Sequence, residues 1–209
     1  MSINLWTSSQ HALDYLSRAD SIPHRVEGES ALLEFIPPTA QRILDLGTGD
    51  GRLLELVKLD HPDATAVAID FSPVMLGAAQ KRFGGNSSVA VMAHNLDRHL
   101  PELGKFDAVI SGFAIHHLTH ERKRALYAEV YRVLNPGGVF CNLEHVSSPT
   151  SELHQEFLRR IGCTRETEDP SNKLLEMEIQ LGWLREIGFV DVDCGWKWRE
   201  LALLAGRKP

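Results

Sequence analysis

No uninterrupted apolar run in the chain approaches the ~20 residues that cross a bilayer. The start, MSINLWTSSQHALDYL, has no basic segment followed by an apolar stretch. A membrane span and a secretory leader are therefore not expected, and a cytoplasmic location is. Cysteine is scarce: Cys141, Cys163 and Cys194 are odd in number and far apart, which argues against a disulfide framework or a CxxC zinc site. Positive charge is in deficit, with Lys+Arg 22 against Asp+Glu 28 and a net charge of -6. That balance argues against a nucleic-acid partner, and the short clusters Lys81-Arg82 and Arg122-Lys123-Arg124 read as solvated helix faces. Internal repeats, low-complexity tracts and linkers are missing too. A length of 209 residues with 43% hydrophobic content suits one domain with a substantial core.

What is present is an alternation. RILDLG, ATAVAID, SSVAVMAHN, FDAVISGFA and GGVFCNLEHV read as strands, and GRLLELVKLD, SPVMLGAAQKRF and ERKRALYAEVYRVL as the helices between them. This predicts a mainly parallel sheet with helices on both faces. Ser72-Pro73 reads as a helix start, and Asn135-Pro136-Gly137-Gly138 as a helix stop before the next strand. Before the first strand, SQHALDYLSRAD and EGESALLEFI look helical, the second stopped by Pro37-Pro38. Helical pieces recur in SELHQEFLRRIG and NKLLEMEIQLGWLREIG. The final segment lacks room for a crossover helix and reads as an antiparallel hairpin around Cys194-Gly195 and Trp196.

The most informative stretch is ILDLGTGDGRLLEL, residues 43–56. A strand ends, glycines recur at every second position, and a helix begins, so the backbone can approach a ligand and the helix can offer unpaired N–H groups. A dinucleotide site of the Gly-x-Gly-x-x-Gly kind would need glycine where Arg52 stands, and no Gly-Lys-Ser/Thr follows for a Walker-type loop. An acid, Asp70, ends the second strand about 20 residues beyond Gly49, the spacing at which a carboxylate reaches ribose hydroxyls.

The acidic, alternate-glycine pattern Asp45-x-Gly47-x-Gly49-x-Gly51 resembles motif I of the class I S-adenosylmethionine-dependent methyltransferases. DFSPVMLGAAQKR resembles the family's post-motif segment, FDAVISGFAIHHL its motif IV region and VLNPGGVF its motif VI, in the right order from Ile43 to Phe140. The resemblance implies a Rossmann-like α/β fold, a seven-stranded sheet in the order 3-2-1-4-5-7-6 with an antiparallel last strand, and S-adenosylmethionine as cofactor. This cofactor carries no phosphate, so acids in the loop are compatible with it. It further implies that Gly47, Thr48 and Gly49 approach the methionine part and ribose, that Asp45 acts near the ammonium, and that Asp70 takes both ribose hydroxyls. Phe71 and Met75 would flank the adenine. Many relatives offer an aspartate to the adenine amino group, whereas this chain has Asn95 followed by Leu96; an amide oxygen can accept that bond, with Asp97 as rival.

Methyl transfer is an in-line displacement, helped by a base when the acceptor must lose a proton. Ser111 to His117, SGFAIHH, ends the fourth strand at the ligand edge of the sheet. Ser111 is expected beside the cofactor, and His117 and His116 are the first candidates to meet the acceptor. Glu144-His145 ends the fifth strand and would bring a second carboxylate-imidazole pair to the same opening. The alternative is that the histidines satisfy loop carbonyls and Glu144 neutralises an arginine. His24, His116, His117, Glu144 and His145 lack paired ligand spacing, so no metal is expected. The expected division is cap helices at 1–39, a cofactor-binding core at 40–146, a substrate-side insertion and helix at 147–187, and a C-terminal hairpin at 188–209. Acceptor choice would lie in Trp6, His11, Tyr15, His24, Arg25 and Glu27 and in the insertion with His154 and Arg159. Trp6 and Tyr15 would cap the pocket, although Tyr15 and Leu16 also fit a helix core. The expected partner is a small-molecule acceptor. Rival readings are methylation of a protein or RNA, a non-catalytic cofactor-binding subunit, and a nicotinamide oxidoreductase.

Overall fold

A computed structural model describes residues 6, 8–18 and 22–209, with the backbone alone for 15–18. The expectations for the Tyr15 and Leu16 side chains lie outside the described residues. β1 (Arg42–Leu46), β2 (Thr65–Asp70), β3 (Val89–Ala93), β4 (Phe106–Gly112) and β5 (Leu134–His145) are parallel. β7 (Leu201–Arg207) runs antiparallel between β5 and β6 (Val190–Trp198). The sheet order is β3-β2-β1-β4-β5-β7-β6, as expected, with the reversed last strand.

Successive strand residues point to opposite faces. Ile43, Ala68, Ile110 and Leu143 meet Leu32 of α2 (Arg25–Phe35), Leu54 of α3 (Arg52–Asp60) and Phe157 of α6 (Ser151–Arg160). Leu44, Ile69, Val109 and Phe140 meet Tyr127 of α5 (His120–Val133) and Leu184 of α7 (Met177–Ile187). Burial on both faces is why these strands read as continuous apolar runs. α1 (Ser9–Arg18) packs on α4 (Pro73–Arg82). No helix among the described residues is long and apolar enough to cross a membrane.

Several local expectations are corrected. β5 begins at Leu134, so Asn135-Pro136-Gly137-Gly138 is a bulge inside the strand, between the pairs Phe106–Leu134 and Ala108–Val139. The hairpin turns at Arg199-Glu200, and β6 runs through Cys194-Gly195-Trp196 with a register shift. Gly195 serves close approach there: a Cβ on it would lie 2.4 Å from the Phe35 ring of α2. α7 starts at Met177 because the preceding backbone is bonded elsewhere, Lys173 N–H donating to the His116 carbonyl at 2.9 Å. Ser72 precedes Pro73 at the start of α4, yet its hydroxyl makes no capping bond. The basic run at 122–124 is solvated only at Arg124. Lys123 is fully buried, and Arg122 pairs with Glu129 at 2.6 Å.

Gly195→Ala is expected to destabilise the chain by about 1–3 kcal/mol through overpacking against Phe35. Adding Phe35→Leu should recover part of the loss. Urea midpoints of the two variants check this, and an unchanged midpoint for Gly195→Ala would reject the close contact.

Candidate active site

The direction of sheet growth reverses between β1 and β4, which leaves a crevice above their carboxyl ends. The loop after β1 fills its floor. Gly47, Gly49 and Gly51 have φ of +68, +57 and +86, so the alternate glycines answer a repeated left-handed backbone. A Cβ on Gly47 would lie 2.2 Å from that of Ala114, so the loops after β1 and β4 touch there. Thr48 N–H donates to the Ile69 carbonyl at 2.9 Å. Asp70 Oδ2 accepts from Gly49 N–H at 3.0 Å and Oδ1 from Ser72 N–H at 2.8 Å. Burial raises this carboxyl, while the Ser72 and Gly49 N–H groups pull against it. Each oxygen keeps a second lone pair for a ligand.

The narrow cleft above brings together Gly47, Thr48, Gly49, Asp70, Phe71, Met75, Asn95 and Leu96, all named from sequence. Asp97 also borders it, and Asn95 Oδ1 accepts from Asp97 N–H at 2.9 Å. Two named residues are elsewhere. Asp45 lies beneath the loop, its Oδ2 accepting from Thr48 Oγ1 at 2.5 Å. Burial pushes its carboxyl up to about 7; the Thr48 bond opposes this, and the charges of Asp70 and Asp50 add to it. Ser111 is fully buried, and its Oγ donates to the Leu46 carbonyl at 2.8 Å. It ties β4 to β1 instead of bordering the cleft. Asp50 and Arg25 are additional lining residues, and Arg25 is the one lysine or arginine among the described ones. Its Nε donates to buried Glu29 at 2.7 Å, and Arg52 Nε reaches the same carboxylate at 3.1 Å.

A second cavity of about 300 Å³ adjoins the cleft, with Trp6, Phe113 and His117 bordering both. Phe113 has φ of 54, a conformation that bulky residues avoid. His11, His116, His145, Phe157 and Asp169 complete much of the lining, which among the described residues has no lysine or arginine. His116 Nδ1 is 2.9 Å from Glu144 Oε1, and His117 Nδ1 is 3.0 Å from Ser171 Oγ. Burial holds both imidazoles well below their ordinary range; nearby His145, Lys123 and Lys173 add to this for His116, and His116 does for His117. Both are neutral at pH 7.

Glu144 is fully buried and borders neither cavity. It stands behind His116, with Asn142 Nδ2 donating to it at 3.3 Å and Tyr127 and Gln180 continuing the chain of bonds to α7. Burial raises its carboxyl against the pull of Lys123. The expected Glu144-His145 pairing is therefore corrected. His145 does border the cavity, but its Nε2 is 3.0 Å from Glu200, which sequence reasoning did not single out. His24 and Glu27 pair with each other at 2.9 Å and border neither space. His154 bridges Glu200 and Glu168 at 3.0 and 3.1 Å.

Residues 43–138 match the family model described as a methyltransferase domain. Over 129 residues, 60% of this chain and 52% of the relative, the sequence is 33% identical to a demethylmenaquinone methyltransferase of Roseiflexus castenholzii. The chain spans about half the length of the curated relatives it matches. Its fold is similar to that of an O-methyltransferase family protein from Burkholderia thailandensis, with TM-score 0.76 at 20% identity over 97% of this chain and 61% of that one. It is also similar to the N-methyltransferase NodS from Bradyrhizobium japonicum, with TM-score 0.70 at 18% identity over 97% of this chain and 99% of that one. With the strand order, these likenesses give the chain the fold of solved methyltransferases and, at residues 43–138, a segment similar to a methyltransferase domain.

The raised Asp45 carboxyl predicts a pH effect on stability. Its folded value of about 7 exceeds the unfolded value of about 3.9, so the stability it contributes is present at low pH and is lost as pH rises from about 4 to about 7. Asp45→Asn, which keeps an acceptor for Thr48, should therefore gain stability over the parent at pH 8 by on the order of 1 kcal/mol or more relative to the comparison at pH 4.5. Urea titrations at both pH values check this; an equal difference would reject the shift.

Proposed function

We propose that the chain transfers a methyl group from S-adenosylmethionine to a small-molecule acceptor. One observation carries the reading: a cleft floored by the glycine loop and Asp70 adjoins a separate cavity of ligand size across Phe113 and His117. The donor set fits this cofactor. Gly49, whose Cβ position meets only Met75 Sδ at 4.0 Å, leaves the backbone open to close approach, Asp50 and Asp70 would repel a phosphate but suit a cationic ligand, and Phe71 and Met75 offer apolar surface for a purine. Bound S-adenosylmethionine supplies a methyl group on a cationic sulfur, open to in-line displacement.

In this reading Gly47, Thr48 and Gly49 hold the methionine and ribose parts, Asp70 takes the ribose hydroxyls, and Asn95 and Leu96 meet the adenine edge. Asp45 acts through Thr48, and Arg25 meets the carboxylate. Ser111 keeps a structural bond. His117 and His116 face the acceptor, with Glu144 orienting His116. Residues 40–146, joined by Arg25, then hold the cofactor, the rest of 1–39 and 147–187 supply the acceptor side, and 188–209 complete the sheet. A cavity lined, among the described residues, without lysine or arginine favours a neutral or cationic acceptor. The relative named a demethylmenaquinone methyltransferase favours a small organic acceptor over a protein or RNA. Three unpaired thiols are consistent with a cytoplasmic location.

Calorimetric titration with S-adenosylhomocysteine, with the reduced nicotinamide dinucleotide in parallel, tests the cofactor. Micromolar binding of the former alone is expected, and no binding by folded protein would reject the assignment. Asp70→Ala should weaken that binding about 10–100-fold, since hydrogen bonds to a charged group contribute about 1.5–3 kcal/mol; unchanged affinity rejects its role. His117→Ala should lower turnover about 100-fold or more, the scale of a lost general base, with a smaller effect on cofactor affinity. Full turnover would leave His117 as structural.

A further inference from the structure

The segment between α6 and α7, where helical periodicity fails, is bonded to the histidine turn. Lys173 N–H donates to the His116 carbonyl at 2.9 Å, and Lys173 Nζ to the His117 carbonyl at 2.6 Å. Lys123 Nζ in turn holds the Lys173 carbonyl at 2.5 Å. Ser171, 4% exposed, lies against the His117 ring. Its Oγ is 2.7 Å from Asp169 Oδ1 and 3.0 Å from His117 Nδ1.

Counting protons fixes the direction of these bonds. A serine hydroxyl has one proton, and an ionised carboxylate can only accept. The proton therefore points to Asp169, because otherwise two oxygens bearing lone pairs would face each other at 2.7 Å. Ser171 Oγ is then the acceptor for His117, which requires the proton on Nδ1. Asp169 is itself held, Oδ1 accepting from Ser171 N–H at 2.8 Å and Oδ2 lying 3.2 Å from His11 Nε2 of α1. The same counting does not decide His116, whose partner Glu144 has a raised carboxyl and can carry a proton.

We propose that Asp169 and Ser171 are positioning residues that hold His117 with its proton on Nδ1, leaving Nε2 bare toward the two cavities, so that this nitrogen accepts a proton from the methyl acceptor and does not donate one. The acceptor role rests on the function proposed above; the positioning does not. Ionisable groups around the ring are His116, His11, Asp169, Glu144 and Lys173, and burial with His116 keeps the imidazole neutral. The proton leaving the acceptor ends on Nε2 as the methyl group takes its place, and one positive charge passes from the cofactor's sulfur to the imidazole. Hydroxyl-bearing acceptors fit such a nitrogen best, because they must lose a proton.

Nitrogen NMR of the full chain labelled with ¹⁵N-histidine, without cofactor, reads the tautomer directly, and His117→Gln assigns the ring. At pH 7 His117 should give a pyrrole-type Nδ1 and a pyridine-type Nε2. Ser171→Ala should shift the ring toward the Nε2–H form, and Ser171→Thr should restore the parental pattern. An Nε2–H form or an imidazolium in the parent, or an unchanged ring in folded Ser171→Ala, would overturn the proposal. If Ser171→Ala does not fold, the parental and threonine spectra decide. The cofactor titration is a separate measurement, so either reading can fail while the other stands.

Discussion

The loops that follow β1 and β4 can touch because Gly47 has no side chain, a Cβ there falling 2.2 Å from that of Ala114. Everything at the carboxyl edge is referred to this contact. On one side it sets the turn that brings Gly49 N–H onto Asp70. On the other it sets the start of the short turn Ile115–His117, and hence the distance between the cleft-lining glycines and the two imidazoles. A larger residue would push apart two loops whose separation fixes the geometry of both cavities.

The polar groups inside the sheet follow from the cost of burying them alone. Asn142 and Glu144 lie on β5 with no exposure; Asn142 Nδ2 and the Glu144 carboxylate are bonded through Tyr127, Gln180 and His116, while Asn142 Oδ1 finds no partner among the described residues. Glu200, equally buried, is bonded by His145, His154 and Ser148. Helices, strands and the 147–176 segment are thus joined by side-chain bonds that end at the histidines of one cavity. The rim on which a small molecule would rest is fastened to the core by polar contacts with fixed directions.

Much of this was legible in the sequence where the signal is local. Strand and helix alternation, the glycine loop and the acid at the end of β2 are contiguous patterns, and the cleft collects Gly47, Thr48, Gly49, Asp70, Phe71, Met75, Asn95 and Leu96. The side to which a strand residue points was not legible at the ends of buried strands, where both neighbours are apolar. Ser111 and Glu144 were therefore read toward ligands and turned out to be bonded inward. Pairings across long sequence separations, such as Ser171 with His117 or Glu200 with His145, leave no mark in a single chain. Lys123 read as solvated because its run is charged, whereas α5 turns it toward the Lys173 carbonyl. The hairpin turn was misplaced because Gly195 signals a turn, while here it makes room for a helix ring.

Trp6, Phe113 and His117 belong to the walls of both spaces. A molecule settling in one space therefore touches part of the boundary of the other, and any shift it causes in those three side chains links the two occupancies thermodynamically. Whatever factor the first ligand applies to the affinity of the second, the second must apply to the first. A compound that sharpens the binding of S-adenosylhomocysteine would thereby report its own occupancy of the neighbouring cavity, and the size of that effect would measure how stiff the shared wall is.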